Sequence, residues 1–316
     1  MIALPDTHSW HGATRLTHLA PILAEGPDAA SFLHGQLSQD MQNMPEGLAR
    51  HAAYCSAKGR MLADALVFKP SAEQFLLIMD AEVLPSALKR LSMFVMRAKA
   101  KLSDARADFA MLGLIGTETI SSVAPLPGQP YAVNALPNRA HLLRLSDVQG
   151  LARAIWVGPV NQAEALLARL PALQDSSWHW LEVMSGIAQI VPATVDQFVP
   201  QMINFEVIGG VNFKKGCYPG QEIVARSQYR GTLKRRLHLA HTAAAATPGQ
   251  EVFSADDPGQ PAGLVALAAS RPDGLGSSVL MELKLQHAGS ALSLGSSDGP
   301  ALTVGQLPYE IPQQDA

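Results

Sequence analysis

The chain has 316 residues, 47% hydrophobic and 16% charged, with a formal net charge of −3. Such a composition describes a globular protein with a large interior, too long for one small core, so two or three domains are expected. The weak negative charge argues against a surface built for polyanions, DNA included, although a local basic patch is compatible with it; no apolar run reaches the ~18 to 20 residues that span a membrane.

The first residues, Met1-Ile2-Ala3-Leu4-Pro5-Asp6, lack a basic stretch followed by an apolar one and are not rich in Arg and Ser. Neither a secretory leader nor a transit peptide is therefore expected, and the cytoplasm is the default compartment. Gly26-Pro27-Asp28 forms a turn, with Asp28 as the N-cap of a helix over 29–37 whose Phe32, Leu33 and Leu37 make an apolar stripe. Two strands, 51–55 and 61–68, flank a hairpin turn at Lys58-Gly59, and 73–80 reads as a third, buried strand. Residues 81–99 carry Val83, Leu84, Leu88, Leu91, Phe94 and Val95 at helical spacing, and 110–116 is another buried strand. Strands alternating with helices in β-β-α units predict an α+β, ferredoxin-like packing rather than a parallel sheet with a dinucleotide fingerprint. Neither G-x-G-x-x-G nor a P-loop occurs. Asp64 stands among apolar strand residues, where period-two alternation alone would turn it to solvent. Lys58 and Arg60, beside it in the turn, read as ordinary solvated residues.

Pro, Gly, Ser and Asn mark a loop over 121–137, followed by strands at 142–145 and 154–157 and a helix over 162–170. Trp178 and Trp180, in a short helix, read as core aromatics. The most distinctive stretch follows: Lys214-Lys215-Gly216-Cys217-Tyr218-Pro219-Gly220-Gln221-Glu222-Ile223-Val224-Ala225-Arg226. It sets one of only two cysteines beside two lysines in a turn leading into a helix. Pro219 suits a first helical position, Glu222 and Arg226 pair at i,i+4, and Gly231 ends the segment. A thiol near two ammonium groups and a helix N-terminus is favoured as thiolate; the alternative is a small buried cysteine in a tight loop. Cys55 and Cys217 form no C-x-x-C, so the chain by itself offers neither a disulfide in a reducing compartment nor the four thiolates of an iron–sulfur cluster. The ten histidines, densest at His8, His11 and His18, show no metal-binding spacing, and no metal site is expected. Lys234-Arg235-Arg236-Leu237-His238-Leu239 alternates as a strand, with Leu233, Leu237 and Leu239 on one face and Lys234, Arg236 and His238 on the other. With Arg226 and Arg230 it makes a basic cluster, either solvated or facing an anion such as polyglutamyl folate or nucleic acid. The last third is short strands and turns, the spacing of a small β-barrel.

Lys215-Gly216-Cys217-Tyr218-Pro219-Gly220-Gln221-Glu222 resembles the K-G-C-Y-x-G-Q-E signature of the YgfZ family, folate-binding proteins that assist iron–sulfur proteins and are related to the T-protein (aminomethyltransferase) of glycine cleavage. Residues 26–40 resemble the G-x-D-A-x-x-F-L-x-G-Q-L-[ST]-x-D opening of that family, and Pro200-Gln201-Met202-Ile203-Asn204 its P-Q-x-x-N segment. The resemblance implies a T-protein-like fold, with α+β halves around a folate cleft and a C-terminal barrel. The domains expected are 1–236, with intertwined halves 1–120 and 138–236, and 237–316. It implies tetrahydrofolate or a one-carbon derivative as cofactor. Iron–sulfur proteins or their assembly machinery are the implied partners, and through them processes such as tRNA modification. Cys217 is the implied key residue, on the rim of the cleft. Gly59 to Val67 matches the G-x-x-x-x-D-x-x-V of T-proteins, giving Asp64 the role of the aspartate that contacts folate and supports catalysis there. Glu182 and Gln201 are implied pterin contacts, Lys58 and Arg60 partners for a glutamate tail, and Lys215, Tyr218, Gln221, Glu222 and Arg226 neighbours of the ligand. T-proteins carry a cysteine-free sequence where Cys217 stands, so a true aminomethyltransferase is the second reading. A non-catalytic RNA- or protein-binding module is the third.

Overall fold

The computed structural model describes residues 4–229 and 233–312, so Arg230 and the helix end expected at Gly231 lie outside the described residues. Strands β1 (Gly12–Arg15) and β2 (Leu19–Glu25) are adjacent in sequence but join different sheets. Helix α1 (Ala29–Gln36) buries Phe32 and Leu33, as its stripe requires. The Asp28 side chain does not cap it; Asp28 Oδ2 instead accepts the Lys99 N–H at 2.7 Å. Strands β3 (Ala49–Cys55), β4 (Met61–Ser71) and β5 (Gln74–Asp80) pair in succession. Helix α2 (Leu84–Met93) stops short of the predicted Lys99. Met96 beyond it takes a left-handed φ of +44°, which no α-helix continues through, and Met93, Phe94 and Met96 are left exposed. Strand β6 (Lys101–Asp104) then completes an antiparallel sheet in the order β3-β4-β5-β2-β6.

Strand β7 (Phe109–Ile115) pairs with β1, and the stretch expected as loop holds α3 (Thr117–Val123) and the short strand β8 (Val133–Ala135). With β9 (His141–Arg144) and β10 (Arg153–Pro159) these form the second sheet, in the order β1-β7-β10-β9-β8, followed by α4 (Val160–Leu167). The second sheet takes strands from both ends of the first 120 residues, so position 120 is no boundary between sheets. Helix α5 (Asp175–Met184) is buried nearly all round. A Cβ at Gly113 of β7 would stand 2.5 Å from the Trp178 ring, so a glycine there lets the helix approach the sheet. On the other side Trp180 Nε1 donates to Ser278 Oγ at 2.9 Å, tying α5 to the C-terminal unit.

After an irregular stretch and α6 (Gln221–Tyr229), six strands close a barrel: β11 (Arg235–Thr242), β12 (Glu251–Ser254), β13 (Gly263–Ser270), β14 (Ser277–Lys284), β15 (Leu292–Leu294) and β16 (Ala301–Val304), with β16 returning to β11. Alternation divides the barrel strands: Ala240, Val279 and Met281 pack in the barrel's own core, while Leu237, Leu239 and Leu280 join the core of the α+β region. Both faces of β11 are therefore covered, and within the expected basic cluster Arg235 and Arg236 are engaged, while Lys234, just ahead of the strand, is exposed. Arg235 Nη1 binds the buried Glu282 at 2.7 and 2.8 Å, and Arg236, itself buried, pairs with Glu206 and donates to Gln201 O at 3.2 Å. Among the described residues no helix is long and apolar enough to cross a membrane.

Candidate ligand-binding site

Between the two sheets lies a cavity of about 640 Å³ of atom-free space, counting its mouth. Leu66, Ile78, Met79, Leu145, Ile155 and Ile187 supply apolar walls; His51, Asp64, Asp80, Tyr131, Arg153 and Glu182 supply polar groups. Strand register brings the first-sheet residues together: Leu66 of β4 stands opposite His51 of β3 and Ile78 of β5. Asp64, two positions from Leu66, shares its face and turns inward, not to solvent.

The polar groups have different environments. Asp64 Oδ1 accepts the Ile190 N–H at 2.6 Å, yet burial pushes its carboxyl up to about 7. Burial also works to raise Glu182, but hydrogen bonds from His179 and His18, with their charges, outweigh it and hold the carboxyl at about 2. Trp178 Nε1 adds a third donor at 2.8 Å. Arg153 is buried, donating to Leu181 O at 3.2 Å and Ser146 O at 3.3 Å; burial brings it down to about 10 against the attraction of Glu182. His51 packs edge-on against Tyr131, centroids 5.1 Å apart, and burial lowers it to about 4. Neither of its buried ring nitrogens has a partner among the described residues. An unpaired buried polar group costs ~1–3 kcal/mol, which a ligand supplying the missing partners would recover.

The signature turn is built differently. Cys217 is exposed, which overturns the buried-cysteine alternative, whereas Cys55 is buried and its thiol is pushed up to about 12. Lys215 turns inward: Nζ donates to His34 O and, at 2.8 Å, to Leu37 O at the C-terminal end of α1, and lies 4.7 Å from the Tyr218 ring centre. Burial lowers its ammonium to about 8, opposed by the attraction of Asp40 and Cys217. Gly220 has φ +78°, and a Cβ there would meet Ser56 O at 2.3 Å, so the β3–β4 hairpin presses directly on the turn. Helix α6 begins at Gln221, leaving Pro219 in the turn ahead of it rather than at the first helical position; Gln221 Oε1 accepts the Tyr218 N–H at 3.2 Å. Glu222 and Arg226 pair at 3.0 Å on the exposed helix face, as their spacing requires.

Of the expected site residues, the fold brings Asp64 and Glu182 to the cavity. Cys217 does not line it, nor do Lys215, Tyr218, Gln221, Glu222 and Arg226. The hairpin touches their turn at Gly59, two residues ahead of β4, and Asp64 lies three residues into that strand from Met61, about 10 Å at the rise of a strand. Gln201 is buried beneath α6, where Nε2 donates to Val224 O at 2.8 Å. Lys58 is exposed, and Arg60 donates to Gln197 O in a separate cleft against the barrel. Sequence reasoning missed His51, Asp80, Tyr131 and Arg153; the one available signal was a polar residue at the start of an apolar strand, as at His51 and Arg153.

Residues 7–140 match the GCVT N-terminal domain family. The tRNA-modifying protein YgfZ of Edwardsiella ictaluri is 31% identical over 315 residues, 95% of this chain and 93% of that protein. The tRNA-modifying protein YgfZ of Klebsiella pneumoniae is 29% identical over 301 residues, 90% and 89% of the two chains. The glycine cleavage system aminomethyltransferase T from Bartonella henselae superposes with a TM-score of 0.75 over 94% of this chain and 86% of its own, at 17% identity, a likeness of fold. With two sheets, a closed barrel and near-full-length similarity to these proteins, the chain belongs to the YgfZ family, relatives of the glycine cleavage T-protein.

Proposed function

We propose that the cavity binds tetrahydrofolate or a one-carbon derivative. The chain then supports tRNA modification by way of iron–sulfur proteins or their assembly machinery, with Cys217 as its reactive group. The observation that carries the ligand is the convergence of Asp64, Glu182, Arg153 and His51, whose ring nitrogens have no partner among the described residues, on one apolar-walled space. A pterin is a flat heterocycle with donors and acceptors around its edge, and needs such walls with a few directed polar groups. The nitrogens of His51 supply hydrogen-bonding capacity that nothing among the described residues uses. The names of the relatives support the tRNA context, and the surface thiol beside Lys215 supports a role for Cys217 outside the cavity. One observation favours the aminomethyltransferase reading as second: a carboxyl at about 7, as Asp64 has, suits proton transfer at neutral pH.

Calorimetric titration with tetrahydrofolate, in the presence of a chelator, tests the ligand. A single saturable site is expected, weakened ~10- to 100-fold in Glu182→Gln, the loss of a hydrogen bond to a charged group. No heat of binding removes the assignment. The cellular role is tested by the activity of a [4Fe–4S] enzyme and tRNA modification in cells lacking this protein. Rescue by wild type but not by Cys217→Ser is expected, and full rescue by the serine variant removes the thiol from the mechanism.

A further inference from the structure

His18, His179 and Glu182 hold three donor atoms within 4.8 Å of one another. His18 comes from the turn between β1 and β2, while His179 and Glu182 are spaced i,i+3 on α5 and so share one face. His18 Nε2 lies 3.0 Å from Glu182 Oε1 and His179 Nδ1 3.2 Å from Oε2. The two rings meet edge to face with centroids 4.3 Å apart, so both are aimed at the same carboxylate. The indole N–H of Trp178 donates to Oε1 of that carboxylate at 2.8 Å, the kind of outer hydrogen bond that orients a metal ligand. Asp80 adds negative charge close enough to His18 to attract it, its Oδ1 accepting the Glu82 and Val83 N–H groups at 2.9 Å. The side chains of His18 and His179 are 24% and 43% exposed and that of Glu182 12%, which gives an ion a path from solvent and leaves room for water as a further ligand.

We propose that His18, His179 and Glu182 form a binding site for a divalent transition-metal ion of the zinc type, beside the cavity. Two imidazoles and one carboxylate with a position left open suit Zn²⁺ and its first-row neighbours, whereas Mg²⁺ and Ca²⁺ prefer oxygen donors throughout. On binding, the ion takes the place of the ring protons that bridge the histidines to the carboxylate; a neutral ring then carries its one proton on the nitrogen turned away from the ion, and only a ring that starts as imidazolium gives up a proton to water. The charge of Arg153 also falls on Glu182 and tempers the affinity. The site shares Glu182 with the wall of the cavity, and its two histidines lie outside that lining.

The test is a titration of the chelator-stripped, folate-free full chain with Co²⁺, followed by visible ligand-field absorption and displaced with Zn²⁺. One equivalent is expected to produce a saturable band. Affinity falls ~100-fold or more in His18→Ala and in His179→Ala, at least the loss seen when an outer-shell partner is removed. His8→Ala and His11→Ala bind as wild type. Absence of a saturable band, or wild-type affinity in either His18→Ala or His179→Ala, overturns the proposal. Circular dichroism verifies that each variant is folded, and His18→Gln, in a half-exposed turn, carries the comparison if a helix variant is not. Because no folate is present, failure here leaves the folate reading standing, and failure of folate binding leaves this one.

Discussion

The cavity between the sheets and the turn around Cys217 treat their polar groups in opposite ways. In the cavity Asp64, Glu182, Arg153 and His51 are drawn out of water, and their carboxyls, guanidinium and imidazole come to about 7, 2, 10 and 4. At the turn the supporting residues Lys215 and Tyr218 are buried and the thiol itself is displayed. Two carboxylates in one cavity depart in opposite directions because Glu182 has two imidazoles and an indole as donors, whereas Asp64 has backbone N–H groups, of Ile190 and of its own residue, against burial and the charge of Asp80. Burial alone does not set a protonation state; the number of compensating donors does. A region built to hold a ligand and a region built to present a group are thus distinguishable by what each hides.

Among single substitutions, the greatest change is expected at Asp64. Its folded carboxyl is raised from the ordinary range near 3.8 to about 7, so between those values the folded state holds a proton that the unfolded state has lost. Native stability from this group is complete below the unfolded value and falls as pH rises through about 7. Asp64→Asn keeps an acceptor for Ile190 and removes the dependence. Urea titrations at a series of pH values should find it level with wild type near pH 4 and more stable by on the order of 4 kcal/mol above pH 7. Parallel curves for the two proteins would mean that the cavity does not desolvate this carboxyl.

A smaller effect is expected behind the turn. Lys215→Met removes the ammonium from the His34 and Leu37 carbonyls and should cost about 2–3 kcal/mol, with slower alkylation of Cys217 once the nearby positive charge is gone. An unchanged midpoint in urea would show that Lys215 does not anchor the turn. The smallest effect sharpens the contrast between the two thiols. Cys217→Ser, at the surface, should shift stability by no more than ~0.5 kcal/mol, while Cys55→Ser, which buries a hydroxyl, should cost ~1–3 kcal/mol. In the folded protein a maleimide should label Cys217 alone; equal labelling of Cys55 would contradict its burial.

Much of the local structure was legible from spacing. The hairpin turn at Lys58-Gly59 and the Glu222–Arg226 pair are found, the strands 51–55 and 61–68 lie within β3 and β4, and the strand 73–80 matches β5 but for Glu73. Helix α2 was overextended because Phe94 and Val95 continued its apolar period while nothing in the pattern marked the left-handed backbone at Met96. Alternation at Arg236 indicated an outward face, but the α+β core covers one side of β11 and the barrel interior the other, so no solvent face was left for it. Gln201 had the right chemistry for a pterin and the wrong position, holding α6 through the Val224 carbonyl instead.

Local pattern was enough for the elements with strong periodicity, the C-terminal barrel and the signature that carries the family likeness; Asp64 and Glu182 were named through that likeness, since alternation alone turned Asp64 to solvent. Those signals live within a few residues of one another, where backbone geometry sets the period. It took packing between distant segments to bring His51, Asp64, Arg153 and Glu182 into one cavity, to set Cys217 apart from it, and to place His18 against a glutamate 164 positions away. Which groups lose water, and which partners compensate them, follows from how strands distant in sequence pack side by side, and no local pattern encodes that distance.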